Sequence, residues 1–242
     1  MQKKKIKKGT KKIIKTGRKS QCQCLSQCKS KSLPGEAFCK EHLRACPAQS
    51  YESGWEPNYD PKFWNKKFQL QDTHNCFSYA MNVNDPKQLV DCRTVRDCNV
   101  PFHQPGSASG TVGFNSNKPK TCPNMVKRIL GDNPNVQMSK FEEKCPPKTS
   151  QIALVVDASD DYHFLRKDKG GYWSQKSGAR PVTNLDAGGH KIWNPQLCDL
   201  DYTKNGSDLN YDIFCGFMCV PREQPLYLRV GGGKTRKRSS RA

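Results

Sequence analysis

A cysteine, a histidine and a glutamine or asparagine can together cut an amide bond, and the chain holds such a set in Cys76, His163 and Gln175. Cys76 lies in Asn75-Cys76-Phe77-Ser78-Tyr79-Ala80, where Cys76, Tyr79, Ala80 and Val83 recur at helical spacing. A cysteine at the first turn of a helix has its thiolate favoured by the helix dipole and by free N–H groups. Those same groups, the Cys76 N–H among them, can bind the oxyanion of a tetrahedral intermediate. His163, in Asp161-Tyr162-His163-Phe164, reads as a strand residue able to act as general base. Gln175 follows across an expected hairpin, where its side-chain oxygen can orient the imidazole.

A second set is made of metal-ligand types. In QCQCLSQCKSKSLPGEAFCKEHLRACP, Cys28 is followed after ten residues by Cys39 and two residues later by His42. The close Cys39/His42 pair can share one tetrahedral zinc ion with Cys28. Cys24 is assigned as the fourth ligand, with Cys22 and Cys46 as alternatives. Thirty residues bury too little apolar surface to fold without such a staple. The ending Phe38-Cys39-Lys40-Glu41-His42 resembles a small finger-like motif that recurs in proteins of large double-stranded DNA viruses.

The rest of the chain must position these groups. It has 242 residues, 34% of them hydrophobic, and no apolar run approaches the roughly 20 residues of a membrane span. No apolar stretch of signal-peptide type follows the basic start, so an intracellular protein is expected. Residues 1–20 hold ten Lys/Arg and no acid, and residues 234–242 hold five and none. Those tails carry most of the net charge of +19, while residues 51–233 balance 22 bases against 20 acids. Basic tails of this kind suit non-specific contact with nucleic acid. The expected organisation is a disordered basic arm over 1–20, a zinc-binding unit over 21–50, an α+β domain over 51–230 and a basic tail over 231–242.

Within the domain, the spacing predicts helices over 75–83 and 122–130. IALVVD at 152–157 reads as a central buried strand, and residues 162–166 and 171–176 as a hairpin. A last strand over 211–221 should carry Ile213, Cys215, Phe217 and Cys219 on one face. Asn184 and Asp186 are expected in a turn that anchors a strand, and His190 in another turn. His74 and His103 read as solvated loop histidines within reach of the cleft. Gly231-Gly232-Gly233-Lys234-Thr235 ends like a phosphate-binding loop but has Leu228 where the first glycine belongs.

Residues 74–221 also resemble an uncharacterised family of bacteria and large DNA viruses, itself similar to the papain-like amidases and peptidases of the NlpC-like superfamily. The resemblance is carried by Asn75 to Asn82, by Gln104-Pro105-Gly106 with Ser109-Gly110, and by Tyr162-His163-Phe164 with Arg166 and Asp168. Further carriers are Trp173-Ser174, Pro181 to Asp186, and Phe214-Cys215-Gly216-Phe217 with Cys219-Val220. It implies a papain-like fold, Cys76 as nucleophile and His163 as base. Related sequences read Trp-Ser-His-Lys-Pro-Gly where this chain has Trp173-Ser174-Gln175-Lys176-Ser177-Gly178. The expectation is a viral cysteine peptidase or amidase of the virion and host cytoplasm, without a membrane. The alternative is a non-enzymatic virion or capsid-associated protein that keeps the fold as a scaffold.

Overall fold

The computed structural model describes residues 14–15, 20–67, 69–93, 101–111, 113–114, 119–157 and 161–230. They build an α+β protein with one antiparallel sheet. In chain order the elements are strand β1 (Ile14–Lys15) and helices α1 (Pro61–Trp64), α2 (Leu70–Thr73), α3 (Cys76–Met81), α4 (Pro86–Arg93) and α5 (Cys122–Asp132). Strands β2 (Gln137–Ser139), β3 (Thr149–Asp157), β4 (Asp161–Lys167), β5 (Trp173–Lys176), β6 (Val182–Thr183) and β7 (Ile213–Pro221) follow. The sheet runs β1-β7-β3-β4-β5-β6, with β2 also on β7. The apolar run of β3 is central, as its sequence implies, and buried on both faces.

Two layers of side chains explain that burial. One face packs Ile152, Leu154, Val156 and Phe164 against Phe77, Ala80 and Met81 of α3 and Met125 and Ile129 of α5. The other packs Ala153, Val155 and Leu165 against Trp173, Ile192, Leu200 and Tyr211. The last strand departs from the expected alternation. Its pairing with β3 slips between Leu154 and Val155, at Gly216 with φ of +139°. A bulge places two residues opposite one and exchanges faces. Ile213 and Cys215 therefore pack with the helices, whereas Phe217 belongs to the opposite layer. Disulfides tie Cys122 at the start of α5 to Cys215, and Cys145 to Cys219.

Of the basic arm expected to be disordered, Ile14–Lys15 pair with Ile213 and Phe214 at the sheet edge. The remainder of that arm, apart from Ser20, and the basic tail over 231–242 lie outside the described residues. The Cys-rich unit is not an independent body. Phe38 meets Trp193 edge-on with ring centroids 5.3 Å apart, and it shares a core with Tyr172 and Phe141. Among the described residues no helix is long and apolar enough to cross a membrane.

Candidate functional site

Helix α3 is fixed at both ends. The Asn75 side chain caps it by accepting from the Ser78 amide, and Asn75 Nδ2 donates to the His103 carbonyl. At the other end Asn82 adopts a left-handed conformation, and Arg222 donates to the carbonyls of Ala80 and Met81. Arg166 lies over the Tyr79 ring at 4.1 Å and pairs with the buried Asp168 at 2.8 Å. Helix α3 is thereby held against β4 by a polar network as well as by apolar packing.

Cys76 is the first residue of α3, and its sulfur accepts from the amide of Phe164, the residue after His163. His163 Nε2 lies 2.8 Å from Gln175 Oε1, and its ring stacks on Tyr211 at 5.1 Å. All three expected site residues thus line one cleft of about 750 Å³, together with Gln104, Asp161, Tyr202 and Tyr211. Burial dominates their titration. It pushes the Cys76 thiol up to about 12, with the Asp161 charge adding and the Phe164 and Phe77 amides and Lys176 opposing. Burial also pushes His163 down to about 4, against the Gln175 hydrogen bond and Asp161. Lys176, driven down to about 7 by burial, donates to the Gly178 carbonyl at 2.6 Å.

His74 and His103 lie elsewhere. Both are buried behind α3 rather than solvated in loops. His103 sits between Ser78 Oγ at 3.0 Å and Asp85 Oδ2 at 3.2 Å. His74 Nε2 accepts from the Asp85 amide. Asp186 does form the expected turn, accepting from the amides of Gly188, His190 and Asp199. The sequence reading gave Asp161 no role. Yet it stands two residues before His163, and strand alternation puts both side chains on one face of β4. Its Oδ2 accepts from the Tyr211 hydroxyl at 2.8 Å.

In the Cys-rich unit, Cys28, Cys39 and His42 converge as expected, but the fourth member is Cys22 rather than Cys24. Cys24 is bonded to Cys46, which removes it from the ligand set. The four donor atoms lie within 4.8 Å of one another, with His42 Nδ1 at 3.5 Å from the Cys22 sulfur and 3.2 Å from that of Cys39. Ligand atoms about 3.5–3.8 Å apart are what zinc–sulfur and zinc–nitrogen bonds of about 2.3 and 2.0 Å produce in a tetrahedron. Burial opposes charge on Cys39, but amides of the Cys39–His42 turn and the neighbouring thiol bring it down to about 7. Three thiols and an imidazole at these distances could hold a metal ion.

No family model and no solved structure matches the chain. It is 29% identical over 160 residues to the insoluble matrix shell protein 1 of Ruditapes philippinarum, a similarity that spans 66% of this chain and 86% of that protein.

Proposed function

We propose that the protein is a structural component of a shell-like or matrix-like assembly, with a papain-like arrangement kept as its scaffold. The state of the Cys76–His163 pair carries this reading. A working thiol hydrolase needs a reactive thiolate beside a proton-accepting imidazole. Here Cys76 is buried, and burial holds its thiol well above and the His163 imidazole well below their ordinary values, which disfavours the thiolate–imidazolium pair. The similarity to an insoluble matrix shell protein points the same way. Disulfides at Cys122–Cys215 and Cys145–Cys219 favour assembly in an oxidising compartment, in contrast to the cytoplasmic setting expected from the sequence. Zinc on Cys22, Cys28, Cys39 and His42 serves as a structural staple, since its four protein ligands leave no open position. The basic segments attach the assembly to polyanions.

A second reading is favoured by one observation: Cys76, His163 and Gln175 share a cleft, with the His163–Gln175 contact at hydrogen-bonding distance. In that reading Cys76 attacks an amide carbonyl, His163 passes the thiol proton to the leaving amine, and water hydrolyses the thioester. Iodoacetamide labelling near pH 7, mapped by cysteine, separates the two. The scaffold reading expects Cys76 to label no faster than Cys198, another buried free thiol. Labelling many-fold faster, and slowed by His163→Ala, supports the hydrolase instead.

A further inference from the structure

One side chain ties the Cys-rich unit to the wall of the cleft. Gln23 stands between Cys22, a member of the metal-ligand group, and the disulfide-bonded Cys24, and it is 1% exposed. Its backbone belongs to the unit, where the Gln23 amide donates to the Ala37 carbonyl at 2.9 Å. Its side chain belongs to the body. Gln23 Oε1 accepts from the amides of Trp193 and Asn194 at 2.7 and 3.1 Å, and Nε2 donates to the Lys191 carbonyl at 2.9 Å. A primary amide can accept and donate at once in this way. Trp193 and Asn194 are buried, so withdrawing Gln23 would leave two amides unpaired away from water. The same stretch is fastened to the unit by the Lys191 amide, which donates to the Gly35 carbonyl at 3.2 Å, and by the Lys191–Glu36 ion pair at 3.0 Å.

The stretch that Gln23 holds is one limb of a loop, and the other limb is cleft wall. Leu185 bridges to Lys191, and the Ile192 amide donates to the Asn184 carbonyl at 3.0 Å. The Asp186 amide donates to the His190 carbonyl at 2.8 Å. Leu185 and Asp186 line the cleft. The Leu185 carbonyl accepts from Gln175 Nε2 at 2.7 Å, and Gln175 Oε1 faces His163 Nε2 at 2.8 Å. Cys22 is thus connected to His163 through Gln23, the paired limbs of residues 184–194 and Gln175. Gln23 and Gln175, at the two ends of this connection, are both buried, where an unmade hydrogen bond is costly.

We propose, resting on the metal reading of Cys22, Cys28, Cys39 and His42, that metal loading of the Cys-rich unit sets the order of the cleft, with Gln23 as the positioning residue that couples the two. Ligation of Cys22 fixes the backbone that carries Gln23. Gln23 then holds residues 191–194, that limb holds the Leu185 carbonyl, and the carbonyl holds Gln175 against His163. Loss of the metal releases the first link, because so small a unit takes much of its order from ligation.

Hydrogen exchange of the full chain tests this, with zinc bound and after chelation. Reductant and oxygen are both excluded, so that disulfides and free thiols keep their state. A parallel cobalt(II) titration reports loading by its thiolate absorption, independently of the cleft. Chelation should speed exchange several-fold at the Trp193 and Asn194 amides and also at the Asp186 amide, which makes no contact with the unit. The His163 ring resonance should shift at the same time, while amides of α5 and β3 exchange unchanged and mark an intact body. Gln23→Ala should reproduce the loosening at Asp186 and the His163 shift with the cobalt band retained, and chelation should then add little. Should that variant exchange faster throughout α5 and β3, chelation of the unaltered chain decides. Zinc release that speeds exchange only within residues 21–42 would overturn the coupling and leave the metal site standing. A chain that gives no cobalt band would overturn both.

Discussion

Gln175 fixes the tautomer of His163. Its amide nitrogen donates to the Leu185 carbonyl at 2.7 Å and to the Tyr202 hydroxyl at 2.6 Å, so its oxygen is the atom facing His163 Nε2 at 2.8 Å. An amide oxygen only accepts, which makes Nε2 the protonated nitrogen and leaves Nδ1 as the base. Glutamine thereby orients the imidazole with no charge of its own.

The contact has a measurable consequence. Gln175→Glu puts a carboxylate against a buried imidazole and should raise the His163 pKa from about 4 to above its ordinary value near 6.5. Gln175→Ala leaves the Nε2 proton without its partner and should lower stability by about 1–3 kcal/mol. Histidine titration by NMR and urea unfolding read the two effects. An unchanged His163 titration in the Glu variant would show that the two side chains are apart in solution.

Acid should destabilise the fold through two histidines. Burial holds both His163 and His74 near 4, and the Asp85 amide that donates to His74 Nε2 must be given up when that ring is protonated. The folded values lie below the unfolded one near 6.5, so the unfolded chain takes up protons first as pH falls. The stability that each neutral ring contributes is present above about pH 6.5 and is lost between there and about pH 4. The loss is on the order of 3 kcal/mol apiece. Chemical unfolding from pH 7 to 4 should show that slope, and His74→Gln or His163→Gln should each flatten part of it.

The sequence carries more of the scaffold than of the site. An unbroken apolar run marks β3, and helical spacing marks α3 and α5, because burial imposes its period directly on residue type. That Cys76, His163 and Gln175 share one cleft was legible because each sits at a fixed offset on a regular element. The bulge at Gly216 was not, since one extra residue in a strand leaves the alternating composition looking unchanged while it swaps the faces of Ile213 and Phe217. Nor was the choice of Cys22 over Cys24. Both fit the ligand spacing, and the partner that removes Cys24, Cys46, becomes its neighbour only in three dimensions. His74 and His103 resemble solvated loop residues in sequence, and their burial depends on Asp85 and Ser78 meeting them across the fold.

Metal loading should distinguish the two candidate cysteines. Cobalt(II), which reports thiolate ligation by its absorption, should bind the full chain with one equivalent at the Cys22, Cys28, Cys39 and His42 group. Cys22→Ser or Cys39→Ser should remove most of the sulfur-to-metal band. Cys24→Ser breaks the bond to Cys46 yet leaves the four donors in place, so the spectrum should survive. Loss of the band in Cys24→Ser with retention in Cys22→Ser would return the fourth position to Cys24.

The two basic segments should differ in their contribution to polyanion binding. Lys and Arg release condensed counterions from a phosphate backbone, so log affinity falls with log salt by nearly one unit per phosphate neutralised on duplex DNA. Residues 1–20 offer ten bases against five in 234–242, and neither segment contains an aromatic residue that could stack on a base. Binding should therefore be independent of sequence, and neutralising the first segment should reduce the salt slope more than neutralising the second. Lys/Arg→Gln substitution is preferable to deletion, because Ile14–Lys15 pair with β7 and their removal would expose a sheet edge. The balanced body, with 22 bases and 20 acids over 51–233, should retain little affinity once both segments are neutral. The measurement is the salt slope for two unrelated duplexes with each variant. A strong preference for one duplex, or a slope that survives loss of all fifteen basic residues, would transfer the contact to the folded body.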